Sequence, residues 1–547
     1  MHWKRPPTSL EHVPSLAARG LMEPYLRDRE FARQYYGAYV SDEDCLRGLA
    51  RTLGTRVYPR SELARILRDQ NRAWGMSGET EEQIGQLEHG ALCVFTGQQT
   101  GLFTGPLYTV YKALTAIRWA HHLTESLKLR VVPVFWLAAD DHDLAEIDHA
   151  VVFDGEGHLH TLRYAMSVGD APPRVSRIRF DDGITAWVRD ALAVLPDGPG
   201  RDEVAQAIRD ENQPGRSWAD AFGYLMARWF GRFGLVLVSP DDARLKRLMA
   251  PVFLQEIRGP ETSRRAVAER SEAIRRAGYS PQVGMTEDGT FLFLDDETGA
   301  RRRIDLDGDG LVPAGTNTRL SRDELAKRFD DEPERFSANV LLRSVTADAV
   351  FPTLAHVMGP GEIAYMAQAR ALYEVHDVPM PLVVPRARLT IIPEEIAHII
   401  EEESLSLDDV FQPLDRWIGL LAARATERKF GEVIDACRTD LDAAYERLEA
   451  AVHRQLPGVW NAVTSARVKT QALMNKLAVK IEQEARMRER RRAGQLKRIS
   501  DALYPDGAPQ ERTYCVAPYF VRYGIGFFDA VLDAIEVGNA EHRALWA

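Results

Sequence analysis

The stretch ALCVFTGQQTGLFTGP, Ala91 to Pro106, begins as an apolar run and breaks into glycine, threonine and glutamine. Behind it, Leu107, Val110, Tyr111, Leu114, Ile117 and Ala120 recur at helical spacing. A second apolar run, Val131-Val132-Pro133-Val134-Phe135-Trp136-Leu137, follows. Strand, glycine loop, helix, strand at this spacing predicts a βαβ unit, with parallel strands and a right-handed crossover.

The same texture recurs outward from this unit. Leu235 to Ser239 (LVLVS) follows the helical stretch Trp218 to Phe233. Leu354 to Met358 runs into Gly359-Pro360-Gly361 and a helix near Glu362 to Tyr373, and Pro381 to Pro385 comes after it. Such runs separated by helices predict an α/β fold with a doubly wound parallel sheet. Residues 283–313 read instead as a hairpin inserted into the sheet domain. The repeat Asp305-Leu306-Asp307-Gly308-Asp309-Gly310 lacks the Glu a calcium loop needs at its twelfth position, so a hairpin turn is the better reading.

From about residue 396 glycine thins out, and Ala, Glu, Arg and Leu dominate up to Ser500. Leu441, Tyr445, Leu448 and Val452 repeat every three or four residues, as do Leu473, Leu477 and Ile481, with Pro457-Gly458 between them. The pattern predicts an antiparallel coiled-coil arm with a narrow seam, best covered by a second copy of the chain. The expected organisation is thus a core over 1–395, a helical coiled-coil domain over 396–502, and a segment over 503–547 that returns to the core.

The chain of 547 residues has 69 Lys+Arg against 80 Asp+Glu, a net charge of −11. That mean field repels phosphate backbones and anionic membranes, so neither is an expected partner. The basic run Arg486 to Arg498 continues the helical arm and reads as its solvated face. No apolar run approaches the roughly 18 residues a membrane span needs. Met1 to Pro7 leads into no apolar stretch, so no secretory signal is expected. Cys45, Cys93, Cys437 and Cys515 lie far apart, which fits a reducing cytoplasm and argues against a zinc ribbon or disulfide scaffold.

Three stretches carry candidate chemistry. In the Thr96–Pro106 loop, Thr96, Gly97, Gln98, Gln99, Gly101, Thr104 and Gly105 are candidate ligand contacts, since glycines admit a ligand and a helix N-terminus favours an anion. The loop is neither a P-loop nor G-x-G-x-x-G. Asp140-Asp141-His142-Asp143, with Glu146 and His149, follows the second strand. There Asp141 or Asp143 would orient His142 as a base. Alternatively His142, Glu146 and His149 share a helical face and bind a metal, or the stretch is a solvated acidic turn. The third stretch, Gly359-Pro360-Gly361-Glu362 with Tyr365, is joined by Asn339, Arg343 and Arg386, the arginines being suited to fork onto carboxylate or phosphate.

TGQQTGLFTGPLYTVYKA (Thr96 to Ala113), PVFWLAADDHDLAEIDH (Pro133 to His149), PERFSANVLLR (Pro333 to Arg343), GPGEIAYMAQ (Gly359 to Gln368) and MPLVVPR (Met380 to Arg386) together resemble the BshC family of bacillithiol biosynthesis, the cysteine ligases. LYPDGAPQER (Leu503 to Arg512) and the pair Tyr523-Gly524 belong to the same resemblance. It departs at Ser344 and Ala347, where the family pattern has Pro and Gln. The resemblance implies a Rossmann-like core with inserted segments, a coiled-coil domain and a homodimer. It implies joining of cysteine, through its carboxyl group, to the amine of glucosaminyl-malate, with ATP or ADP as a bound nucleotide. Gln510, Arg512, Tyr523 and Gly524 are then candidate nucleotide contacts, and no metal site is assigned. The H-x-G-H and K-M-S-K-S signatures of class I synthetases do not occur. On this reading the Thr96–Pro106 loop holds an anionic group, His142 is the base, Glu362 and Tyr365 bind amino or sugar groups, and Arg343 and Arg386 clamp the malate carboxylates. A metal-dependent hydrolase using the cluster at 140–149 and a non-catalytic thiol-metabolite binding protein are the alternatives.

Overall fold

The computed structural model describes residues 10–38, 42–166, 172–403, 405–411 and 427–547. Met1 to Pro7, and the part of the helical region over 412–426, lie outside them, as do the side chains of most of Arg486 to Arg492.

Five parallel strands form the central sheet: β1 (Leu92–Gln98), β2 (Val131–Leu137), β3 (Val236–Val238), β4 (Thr353–Met358) and β5 (Leu382–Pro385), in the order β5-β4-β1-β2-β3. Neighbouring connections diverge to either side of β1, so the topological switch point lies between β1 and β4. The strands are apolar on both faces because both faces are covered. Cys93 and Phe95 of β1 pack into one core with Val132, Val134 and Trp136 of β2. Leu92 and Val94 turn the other way, toward Leu354, Val357 and Leu382. The predicted α/β class is the observed one.

Helix α1 (Tyr108–Leu127) makes the crossover from β1 to β2. Its apolar residues promise one buried stripe, yet Thr109 to Ile117 are buried without a break. The reason lies at the far end of the chain. Tyr514, Tyr519 and Phe527 pack on its outer side, Pro106 bridges to Cys515, and Leu107 N–H donates to Tyr514 O at 2.8 Å. Two shorter helices complete the frame, α2 (Ala243–Leu248) after β3 and α3 (Val340–Asp348) before β4. Between β4 and β5 runs α4 (Pro360–Val375).

The inserted hairpin is part of a four-stranded antiparallel sheet. Gly289–Asp295, Arg301–Asp307 and Gly310–Pro313 are joined by Phe336–Ala338, which pairs with the first of them. Asp307 pairs with Gly310 across a two-residue turn in which Gly308 has φ +61°, the turn geometry read from the sequence. Arg174, fully buried, fastens this insert: Nε reaches Asp295 at 2.9 Å and Nη1 reaches Asp241 at 2.6 Å.

The chain divides into two compact units, Met1–Ile392 with Pro509–Ala547, and Pro393–Ala508. The expected cuts were at 395/396 and 502/503. In the first unit the C-terminal strand His542–Trp546 pairs in parallel with Arg388–Ile392 and antiparallel with Leu10–His12. The second unit holds two long helices, α5 (Glu427–Gln455) and α6 (Trp460–Leu503), connected at Pro457–Val459. They run antiparallel. Tyr445 and Thr470 share a hydrogen bond of 2.8 Å, and Gln471 Nε2 donates to Asp442 at 2.8 Å. No helix among the described residues is long and apolar enough to cross a membrane.

Candidate active site

A cavity of about 690 Å³ opens at the carboxyl ends of the strands, where ligands of doubly wound sheets sit. Gly97, Gln98 and Gln99 reach it from the end of β1, Asp140, Asp141, His142 and Glu146 from β2, Gly359, Gly361, Glu362 and Tyr365 from β4 and α4, and Arg386 from β5. Asn339 and Arg343 line it from α3, and Arg512 from the C-terminal segment. The three stretches singled out in the sequence therefore share one site.

Its floor is built on a residue that the sequence reading passed over. Lys112 lies five residues into α1 and is almost fully buried (3 % exposed). Its ammonium donates to Gly97 O at 2.9 Å and Gln98 Oε1 at 2.7 Å, and pairs with Glu362. All three of its protons are thus committed, joining the end of β1 to α4. Burial pushes the Glu362 carboxyl up, but Lys112 beside it and the Gly359 N–H, 2.8 Å away, hold it below its usual value. Burial pulls the Lys112 ammonium down.

The acidic cluster is largely neutralised by cations from elsewhere. Lys246, on α2, donates to Asp140 Oδ2 at 2.8 Å, and both are buried. Asp141 Oδ2 accepts from Gln99 at 2.8 Å. Its Oδ1 accepts from the His142 backbone N–H at 2.8 Å and from Arg301 Nη1 at 3.2 Å. Burial raises the Asp141 carboxyl, but His142 and Arg301 outweigh it and hold it far below the ordinary range. Glu146, at the exposed rim of the cavity, has no such cation in contact among the described residues. Burial, then Asp143 and Asp141, push its carboxyl up.

Arg301, from the inserted sheet, is the second residue missed. It lies over the Phe293 ring at 3.8 Å, donates to Ser337 Oγ at 2.9 Å, and places Nη1 3.2 Å from His142 Nδ1. A guanidinium only donates, so Nδ1 is the acceptor. Asp141 Oδ1 is 3.4 Å from that nitrogen. Asp141 therefore lies beside His142 as expected, while Arg301 stands nearer to the same ring nitrogen. Asp143 is exposed and does not line the cavity.

The arginines divide into two kinds. Arg386 forks onto Glu511, with Nη1 and Nη2 each 2.8 Å from a carboxylate oxygen, so its fork is not open to a malate carboxylate. Arg343 donates to Tyr365 OH at 3.1 Å, and Arg512 lies 5.9 Å over the Tyr108 ring. Neither has a carboxylate within 4.0 Å among the described residues. Burial lifts the Tyr365 hydroxyl to about 12, so it stays protonated.

Several expected contacts hold the scaffold, Gly97 and Asn339 while also lining the cavity. A Cβ on Gly97 would sit 2.7 Å from Trp136 O, so this glycine serves the close approach of β1 and β2. A Cβ on Gly101 would meet Gly105 Cα at 2.8 Å, and Phe103, Thr104 and Gly105 all have positive φ. Thr96 Oγ1 donates to Val357 O at 2.9 Å, and Thr104 is fully buried. Asn339 Oδ1 caps α3, accepting from the Leu341 and Leu342 N–H groups. His142, Glu146 and His149 do not share a helical face, because the helical turn covers only Leu144–Glu146 and His149 opens a strand, its Nδ1 3.0 Å from Asp148. Among the described residues no group of three His, Cys, Asp or Glu is placed to hold a metal. Of the four nucleotide candidates only Arg512 lines the cavity. Gln510 is buried against the Ile391 backbone, Tyr523 stacks with Phe527, and Gly524 ends a helix with φ +73°.

A Rossmann-like sheet with a polar cleft at its switch point, joined to a helical-hairpin unit, defines the class. Residues 9–387 match the family model described as bacillithiol biosynthesis BshC, N-terminal Rossmann-like domain, and residues 389–546 match its C-terminal coiled-coil domain. The chain belongs to the BshC family. It is 33% identical over 549 residues to a protein of Salinibacter ruber, covering 99% of this chain and 98% of that one. A Heliobacterium modesticaldum protein is 31% identical, covering 94% and 96%, and a Bacillus cereus protein 26%, covering 97% and 98%. All three bear the name "Putative cysteine ligase BshC".

Proposed function

We propose that this chain is a ligase of bacillithiol biosynthesis that joins the carboxyl group of cysteine to the amine of glucosaminyl-malate, after a nucleotide has activated that carboxyl group. The observation that carries this reading is the pairing, in one cavity, of two arginines without carboxylate partners among the described residues, Arg343 and Arg512, with carboxylates held ionised by buried cations. A dicarboxylate or phosphate needs the first, and an amino sugar needs the second.

Free carboxylate and ammonium do not condense in water, so the carboxylate is activated as an acyl phosphate or acyl adenylate and the ammonium gives up a proton. Arg343 and Arg512 meet the anionic groups. Glu362, fixed by Lys112, accepts from the substrate amine or hydroxyls. Glu146, whose carboxyl is raised, takes the proton from the amine. The amine nitrogen then bonds to the acyl carbon, and the phosphate or AMP departs with the electron pair of the broken C–O bond. The chain acts in the cytoplasm as a homodimer. Supporting the dimer, Leu448, Leu473 and Leu477 of the coiled-coil unit are 48%, 66% and 51% exposed.

The test is mass spectrometry of the protein incubated with cysteine, glucosaminyl-malate and ATP. The reading expects the amide together with AMP or ADP. Binding of all three without an amide would instead make the chain a thiol-metabolite binding protein.

A further inference from the structure

The inserted sheet reaches the imidazole of His142. Arg301 Nη1 lies 3.2 Å from His142 Nδ1, and the guanidinium has nothing to accept with, so Nδ1 presents its lone pair. Arg301 is itself clamped: Nε on Ser337 Oγ at 2.9 Å, Nη2 on Ala338 O at 3.1 Å, Nη1 also on Asp141 Oδ1 at 3.2 Å, and its face on Phe293. Asp141 also stands at this nitrogen, but through Oδ1, which is farther from Nδ1 (3.4 Å) than Arg301 Nη1 (3.2 Å) and already accepts from the His142 N–H at 2.8 Å and from Arg301 at 3.2 Å. A neutral imidazole with a bare Nδ1 carries its hydrogen on Nε2, and Nε2 has no hydrogen-bond partner among the described residues.

We propose that Arg301 is a positioning residue that holds His142 in the Nε2–H form, so that His142 serves the reaction as a neutral hydrogen-bond donor and not as its base. The inference rests on the ligase reading only for the step it serves. There, Nε2–H donates to the oxygen on which negative charge develops as the acyl–oxygen bond breaks, and no proton changes hands at this residue. It also explains why an inserted sheet lies over a Rossmann-like cleft: the insert supplies the group that sets the imidazole tautomer.

Two-bond proton–nitrogen correlation spectra of the full chain labelled with ¹⁵N-histidine read the tautomer directly, with the His142 signals assigned by their loss in His142→Gln. The wild type is expected to show protonated Nε2 and bare Nδ1 at neutral pH. Arg301→Met, folded, is expected to move the hydrogen to Nδ1, and Arg301→Lys, which keeps a donor, to restore part of the Nε2–H form. A wild-type ring protonated at Nδ1, or a folded Arg301→Met with an unchanged tautomer, overturns the proposal. If Arg301→Met does not fold, the wild-type spectrum alone decides. These spectra need no turnover, so they stand apart from the ligase assay. Where the amide is formed, Arg301→Met should lower kcat on the order of 100-fold with little change in KM; a change confined to KM would contradict the donor role.

Discussion

Arg386 and Glu511 show how far a single residue type can mislead. An arginine just beyond a parallel strand reads as a ligand clamp, yet here its fork is met by a glutamate 125 positions later. Nothing local announces that partner. The pair has a consequence for stability. Burial raises the Glu511 carboxyl, but Arg386 outweighs it and holds it near 2, against an ordinary 4.5. Between those values the folded chain binds fewer protons than the unfolded one. The contribution is therefore complete above about pH 4.5 and is lost as the pH falls toward 2, some 3 kcal/mol at about 1.4 kcal/mol per unit. Denaturant titrations from pH 6 downward should show this slope in the wild type and its loss in Glu511→Gln; equal slopes in both proteins would contradict it. At this scale the sequence showed which types gather in the cleft, His142, Glu362 and Arg343 among them. It hid the partners that set their roles, Lys112, Lys246 and Arg301, because each comes from a different element.

Elements were more legible than residues. Every strand of the central sheet was visible as an apolar run, because a strand buried on both faces needs no polar alternation. Glycine loops marked the strand ends for the same reason that they work there: at Gly97 and Gly101 an added Cβ would stand under 3 Å from its neighbours. The helical face assumed for His142, Glu146 and His149 failed because a strand, His149–Phe153, begins at the third member. Lys112 ties two of these elements together, the end of β1 and the start of α4. Replacing it by Met takes the cation from the part-buried Glu362 and leaves Gly97 O and Gln98 without their donor, which should cost about 1–3 kcal/mol of stability. Lys112→Met with Glu362→Gln should recover part of that loss. Chemical denaturation of the three proteins measures both, and a single variant as stable as the wild type would show that the pair holds nothing together.

On the scale of the whole molecule, the chain is a core unit that closes on itself and a unit of two long helices. The closing strand His542–Trp546 could not be placed from its sequence, since its parallel partner Arg388–Ile392 lies on the far side of the helical unit in the chain. The helical hairpin was legible as a heptad-like seam, but its apolar residues outnumber the places its own two helices provide. Leu473 and Leu477 remain exposed. If they meet a second copy, Leu473→Glu with Leu477→Glu should convert a dimer to a monomer in analytical ultracentrifugation while the circular dichroism of the helices is kept. A dimer unmoved by both changes would place the contact elsewhere.

One site fed by three strand ends is the claim beneath all of this. Hydrogen exchange followed by mass spectrometry, with and without glucosaminyl-malate, tests it most directly. Residues 96–106, 140–149 and 359–365 should slow together on binding, while 427–503 exchanges as before. Protection of only one of those three segments, or protection confined to the helical hairpin, would contradict the account.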